Sequence, residues 1–254
     1  MSVKTAIILA AGMGTRLRSV TGEKFTKPLT PIGDFPVIEY SIRALINAGV
    51  ERILLGCGYM IESFRYLEAK YSEVEVVENP KYDVFASIYT LLIFEDIVQE
   101  PFYLLEADII YDPDILFNMR GEKGAEEENI ILTSVPLQLD DNVYFSSDEG
   151  ALTGLSKKLP AAGEPEGVMT GIWVFKEGLL SRFSQYCKSK KIDYSEDYEI
   201  LLAEYSAAQE PINILHAQEL NWCEIDNESH LEYAVEEVFP KIKKKLNAIP
   251  SNRS

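Results

Sequence analysis

Thr5-Ala-Ile-Ile-Leu-Ala-Ala-Gly-Met-Gly-Thr-Arg-Leu17 joins an unbroken apolar run to a turn holding two glycines and an arginine. Thr5–Ala11 reads as a strand buried on both faces, because it lacks the polar alternation of a half-exposed strand. Gly12 and Gly14 let the backbone approach a ligand closely, so that its N–H groups can face phosphate oxygens. Arg16 adds a planar cation that can grip phosphate with two parallel hydrogen bonds. A dinucleotide fingerprint would need glycine at position 17, which is leucine, and the GK[ST] of a P-loop is absent. Two glycines alone fit an ordinary strand-to-helix turn equally well.

Working outward, short apolar runs alternate with amphipathic segments through the first 110 residues or so. Arg52–Cys57, Val74–Val77 and Phe102–Glu106 read as strands; Val37–Ala48, Ile61–Tyr71 and Ser87–Ile97 read as helices. That order predicts an α/β fold, a largely parallel sheet flanked by helices. Further on, Ile130–Pro136, Val143–Ser146, Leu152–Leu155 and Val168–Phe175 are strand-like and separated by turn residues, which predicts a mixed or antiparallel extension. Glu177–Lys188, Glu196–Ser206 and Glu228–Leu246 read as helices and Ile212–His216 as a strand. The expected organisation is one domain over 1–246, an acceptor-binding extension around 130–210, an exposed acidic loop at Gly121–Glu128, and a disordered tail at 247–254.

The 254 residues carry 24 Lys+Arg against 41 Asp+Glu, a net charge of −17. Such a surface repels phosphate backbones, which excludes general nucleic-acid binding. At 46% hydrophobic and 11% aromatic the chain nevertheless carries enough apolar material for a core. Cys57, Cys187 and Cys223 form no CxxC pair, and the only two histidines, His216 and His230, match no zinc spacing. The first apolar stretch is too short to span a membrane and lacks a signal-peptide layout, so a reduced cytoplasmic protein with no membrane contact is expected.

Lys24-Phe-Thr-Lys-Pro-Leu29 places Lys27 shortly after the glycine turn. Asp108 follows the strand FYLLEA, at the carboxyl end where open α/β sheets bind ligands. Asp226, in Trp222-Cys-Glu-Ile-Asp-Asn227, precedes the last helix. Two well-separated aspartates meeting at one sheet edge suit a magnesium ion on a triphosphate. Asp226 or Asn227 would serve equally as the N-cap of that helix.

LAAGMGTRL followed by KPL resembles the nucleotidyltransferase superfamily that makes NDP-sugars and CDP-alcohols, whose fold is Rossmann-like, similar to glycosyltransferase A. The resemblance implies that Gly12, Gly14, Arg16 and Lys27 hold the triphosphate, and that Asp108 and Asp226 hold catalytic Mg2+. It extends nucleotide contact to Leu9, Ala10, Ala11, Met13 and Thr15, with Ser87 near the base, and to Glu106. Ser87-Ile-Tyr-Thr90, EADIIYD, LTGLSK and EIDNESHLE are similar to the small CTP-dependent cytidylyltransferases of phosphocholine and 2-aminoethylphosphonate. LTGLSK supplies Lys157 as a third catalytic cation and favours the aminoethylphosphonate branch; the Ser-Ile-Tyr triplet is closer to the phosphocholine branch.

The partners so implied are CTP and a small zwitterionic phosphonate or phosphate, with a homodimer common in the branch. A primary ammonium wants carboxylates, a trimethylammonium aromatic faces. The acceptor candidates are accordingly Tyr89, Asp141, Tyr144, Glu166, Trp173, Tyr198 and Glu199. Trp173, in the strand VMTGIWVF, equally fits core. Rival readings are a sugar-1-phosphate nucleotidyltransferase and a catalytically silent nucleotide-binding domain.

Overall fold

The computed structural model describes residues 3–17, 26–119, 127–159 and 165–249. In chain order its strands begin with β1 (Thr5–Ala10), β2 (Pro31–Ile32), β3 (Phe35–Pro36), β4 (Arg52–Cys57) and β5 (Val74–Glu78). They continue with β6 (Phe102–Glu106), β7 (Ile109–Tyr111), β8 (Ile130–Ser134), β9 (Tyr144–Asp148) and β10 (Ala151–Ser156). The last are β11 (Val168–Phe175), β12 (Asn213–Ala217) and β13 (Trp222–Glu224).

β1 lies between β4 and β6, both parallel to it, with Thr5 level with Arg52 and Phe102. β5 adds in parallel outside β4. This central position explains why β1 is apolar throughout: neighbouring side chains point to opposite faces, and both faces are covered. Ile8 packs on one side with the helix Val37–Asn47, and Ile7 on the other with Ile88, Leu179 and Tyr198. On the far side of β6 the sheet turns antiparallel through β11, whose residues are all buried. It continues through β8, β12, β10 and β9. β9 also bonds β11 at Tyr144–Val168, so those five strands close on themselves. The sheet is therefore mixed, parallel in its first half and mainly antiparallel in its second.

Three expected helices differ in detail. Ile61–Tyr71 is a 3₁₀ turn (Ile61–Phe64) followed by a helix, Arg65–Lys70. The helix from Ser87 ends at Leu92. Its apolar rhythm continues to Ile97, but the N–H groups of Phe94, Glu95 and Ile97 bond three residues back, so the chain tightens into turns. The last helix runs as Glu228–Tyr233, a π turn at Ala234–Val238, and Phe239–Ala248. The wide turn falls just ahead of Pro240, which has no N–H to continue the α ladder. Asn247 and Ala248 are thus helical, a correction to the expected tail, while 250–254 and most of the acidic loop (121–126) lie outside the described residues.

Candidate active site

Sequence patterning missed the β7–β13 ladder, and this small ladder assembles the site. Its strands are only three residues long, too short to show a period. Trp222 pairs with Tyr111 and Glu224 with Ile109, and the Ile225 N–H donates to the Asp108 carbonyl at 2.9 Å. The turn after β6 and the segment after β13 are thereby fixed side by side, which brings Asp108, Glu224 and Asp226 to one sheet edge. The capping alternative resolves as well. Asn227 is the N-cap, its side chain accepting from the His230 N–H at 3.0 Å, which leaves the Asp226 carboxylate for the site.

A cavity of about 370 Å³ opens at the carboxyl ends of β1 and β6. Its glycine turn shows two different uses of glycine. Gly14 has φ +55°, and a Cβ there would lie 2.9 Å from the Cβ of Lys27. Gly12 has an ordinary φ and nothing within 4 Å of a built Cβ, so its bare face is open to a ligand. Leu9, Ala10, Ala11, Arg16, Lys27, Ser87, Glu106, Asp108, Tyr198, Glu199 and Asp226 also line the cavity, with Asp197 of the acidic stretch 196–199, as do Tyr82, Phe85 and Glu224, which sequence reasoning did not single out. Glu224 lies in the quoted WCEIDN, two residues before Asp226, and that strand-period spacing was the available signal.

Lys27 is at the centre of the charges. Its ammonium bonds Asp226, lies 2.5 Å from Asp108 Oδ2 and lies 3.7 Å from Glu224 Oε1. Burial opposes its charge, but Asp108, Glu224 and Asp226 together outweigh burial and hold the ammonium well above its ordinary pKa. Arg16 bonds Asp141 through one Nη and Asp226 through the other at 3.2 Å. Burial tends to raise the Asp226 pKa, yet Lys27 and Arg16 keep it below the usual carboxylate value.

For the other acids of the cavity burial and like charge outweigh the nearby cations. Glu106 accepts from the Tyr198 hydroxyl at 2.9 Å, and burial with the nearby Asp108 and Glu199 pushes its pKa up to about 8. Gly171 on β11, with φ +77°, makes room for it: a Cβ there would sit 2.6 Å from Glu106 Oε2. Glu224 is raised well above its ordinary value by burial and by Glu106, Asp108 and Asp226. Burial and Asp197 push Glu199 up to about 7. Ser87 Oγ accepts from the Tyr198 N–H at 3.0 Å and donates to Asp197 at 3.1 Å, tying the start of one cavity helix to the next.

The remaining sequence candidates sit elsewhere. Trp173 is fully buried against Phe175 and Tyr198, a core residue rather than an acceptor contact, because β11 is covered on both faces. Asp141 grips Arg16 instead of lining the cavity. Tyr144 and Glu166 lie at the β9 edge, where Glu166 accepts from Ser147. Met13 is exposed at 42% and is not part of the cavity lining. Lys157 is exposed beyond the end of β10 and meets the site only through its charge on Glu199. Tyr89 belongs to an aromatic trio with Phe85 and Tyr194, ring centres 5.1–5.7 Å apart, of which Phe85 reaches the cavity. The side chain of Thr15 lies outside the described residues.

With this geometry in place, residues 5–234 match the nucleotidyl transferase family. The chain belongs to that family. It is 39% identical over 120 residues to 2-aminoethylphosphonate cytidylyltransferase of Lancefieldella rimae, an alignment covering 47% of this chain and 48% of that protein. It is 42% identical over 104 residues to choline-phosphate cytidylyltransferase of Streptococcus pneumoniae, covering 41% and 44%. These alignments span just under half the length of either relative. The fold is that of the inositol-1-phosphate CTP transferase from T. maritima, with a TM-score of 0.79 at 24% identity, covering 96% of this chain and 98% of that one. Among the described residues no helix is long and apolar enough to cross a membrane.

Proposed function

We propose that the protein transfers a cytidylyl group from CTP to the phosphonate or phosphate oxygen of a small amine-bearing acceptor, 2-aminoethylphosphonate being the best fit. The observation that carries this reading is the meeting of Arg16, Lys27 and the open face of Gly12 with Asp108, Glu224 and Asp226 around one cavity. An acceptor oxygen attacks the α-phosphorus in line; a new P–O bond forms and the bond to the β-phosphate bridge breaks, releasing pyrophosphate. That oxygen is already anionic near neutral pH, so no residue must remove a proton. The work left to the chain is alignment and charge neutralisation. The glycine-turn amides and Arg16 hold the phosphates, and Lys27 offsets charge on the departing pyrophosphate.

Magnesium fits the donor set: Glu106, Asp108 and Glu224 each offer a carboxylate oxygen, mutually within 4.8 Å, with Asp226 beside them. Asp108 and Asp226 would hold the ion, which supplies Lewis-acid charge to the phosphates when bound. For the acceptor, Asp197 and Glu199 offer carboxylates to an ammonium. Phosphocholine is the second reading, favoured by the Phe85–Tyr89–Tyr194 cluster at the cavity edge.

The test is pyrophosphate release with each common nucleoside triphosphate against 2-aminoethylphosphonate, phosphocholine and a hexose 1-phosphate. CTP with 2-aminoethylphosphonate is expected to be fastest. Release only with a hexose 1-phosphate, or with none of the acceptors, would overturn the reading. Asp108→Asn is expected to abolish metal-dependent release, and unchanged metal dependence would remove Asp108 from the metal site.

A further inference from the structure

Lys27 occupies the place where the metal is needed. Its ammonium contacts both Asp108 and Asp226, and Glu224 stands 3.7 Å away. The ammonium takes Oδ2 of Asp108 and Oδ1 of Asp226, so a divalent cation on the same two carboxylates would sit a few ångströms from it and be repelled. Partly buried carboxylates this close together repel one another when no cation offsets them, and Lys27 already provides one. The base of its side chain is fixed, packed against Gly14 and followed by Pro28 in a 3₁₀ turn, Lys27–Leu29. Its four-carbon stem leaves the head group free to swing toward another anion in the same cavity.

Resting on the reading of Asp108 and Asp226 as metal holders, we infer that Lys27 is the resident cation of this carboxylate cluster in the nucleotide-free protein, and that divalent metal enters only together with the triphosphate. The arriving phosphates draw the ammonium off the aspartates, which frees Asp108 and Asp226 to the role of holding the metal that the reading gives them. Metal and nucleotide then bind with positive coupling, with Lys27 as the element that both displace.

The experiment is manganese(II) binding without nucleotide, followed by electron paramagnetic resonance, in the wild type, Lys27→Met and Lys27→Arg. The wild type and Lys27→Arg are expected to show no stoichiometric site. Lys27→Met gains one at least roughly tenfold tighter, and Lys27→Met/Asp108→Asn loses it. A stoichiometric nucleotide-free site in the wild type, or a Lys27→Met affinity equal to the wild type's, overturns the inference. Should Lys27→Met fail to fold, the wild type decides alone: nucleotide-free manganese must leave its melting temperature unmoved, and a rise overturns the inference. The Asp108→Asn assay separates the two levels. Normal metal-dependent release in that variant sinks the metal-site reading itself, whereas lost release with no tightening in Lys27→Met sinks only the role of Lys27.

Discussion

Glu199 ties the protein's stability to pH through one side chain. Burial first, and the neighbouring Asp197 second, raise it from 4.5 to about 7 in the folded protein. The folded state therefore holds a proton between these values that the unfolded chain has lost. Stability falls as pH rises through about 4.5 to 7, and the full cost, on the order of 3 kcal/mol, is felt above pH 7. Glu199→Gln removes the ionisation and keeps the shape, so it should stabilise the protein at pH 8 and change little at pH 4.5. Denaturant unfolding at both values checks this; an equal effect at both would show that Glu199 titrates normally. Among single residues, Arg16, Lys27, Asp108 and Asp226 were readable as neighbours because they sit in contiguous motifs at strand ends, whereas Lys157 and Asp141 do not line the cavity. Glu224 was not readable, since carboxylates in an acidic chain usually face solvent, and only the folded β7–β13 ladder brings this one to the cavity. Trp173 was ambiguous for a related reason: a strand aromatic has the same sequence signature in core and in pocket.

At the scale of elements, the strands of the parallel half were legible almost to the residue, because a strand buried on both faces writes an unbroken apolar run. Helix ends were less so, since tight turns keep the apolar rhythm while changing the hydrogen bonds, as they do from Ile93 to Ile97. The glycine turn was visible, but not the division of labour inside it. Gly14 has a left-handed backbone and touches Lys27, whereas Gly12 has ordinary torsions and open space. Gly14→Ala should therefore cost stability, about 1 kcal/mol or more from backbone strain, and displace Lys27 as well. Gly12→Ala should leave stability within about 0.5 kcal/mol while weakening nucleotide binding, because the added methyl stands where the ligand approaches. Thermal unfolding beside a CTP titration of the two variants separates these effects. A Gly12→Ala protein that is destabilised yet binds CTP normally would reverse the assignment.

For the whole molecule, a net charge of −17 would have to coexist with the tetra-anionic triphosphate proposed as substrate. The solution is local, and it links the two halves of the sheet. The segment between β8 and β9 folds back over the glycine turn: Asn142 donates to the Leu137 and Leu139 carbonyls, Asp140 bonds His230 Nε2 at 2.6 Å, and Asp141 grips Arg16. His230 is itself seated under the site, its Nδ1 facing the Asp226 N–H at 3.4 Å. Asp141 thus stands on the cation proposed to hold the triphosphate, and on that reading the nucleotide must displace it. Arg16 is half exposed, so the pair is worth no more than about 1 kcal/mol. Asp141→Asn should accordingly tighten CTP binding by at most about fivefold. The gain should shrink at about 1 M salt, where exposed charges are screened within some 3 Å. Calorimetric CTP titrations of both proteins at low and high salt measure it. If Asp141→Asn instead leaves CTP affinity unchanged and raises the KM of the acceptor, Asp141 serves the acceptor, as the sequence suggests, and its grip on Arg16 opens before substrate arrives.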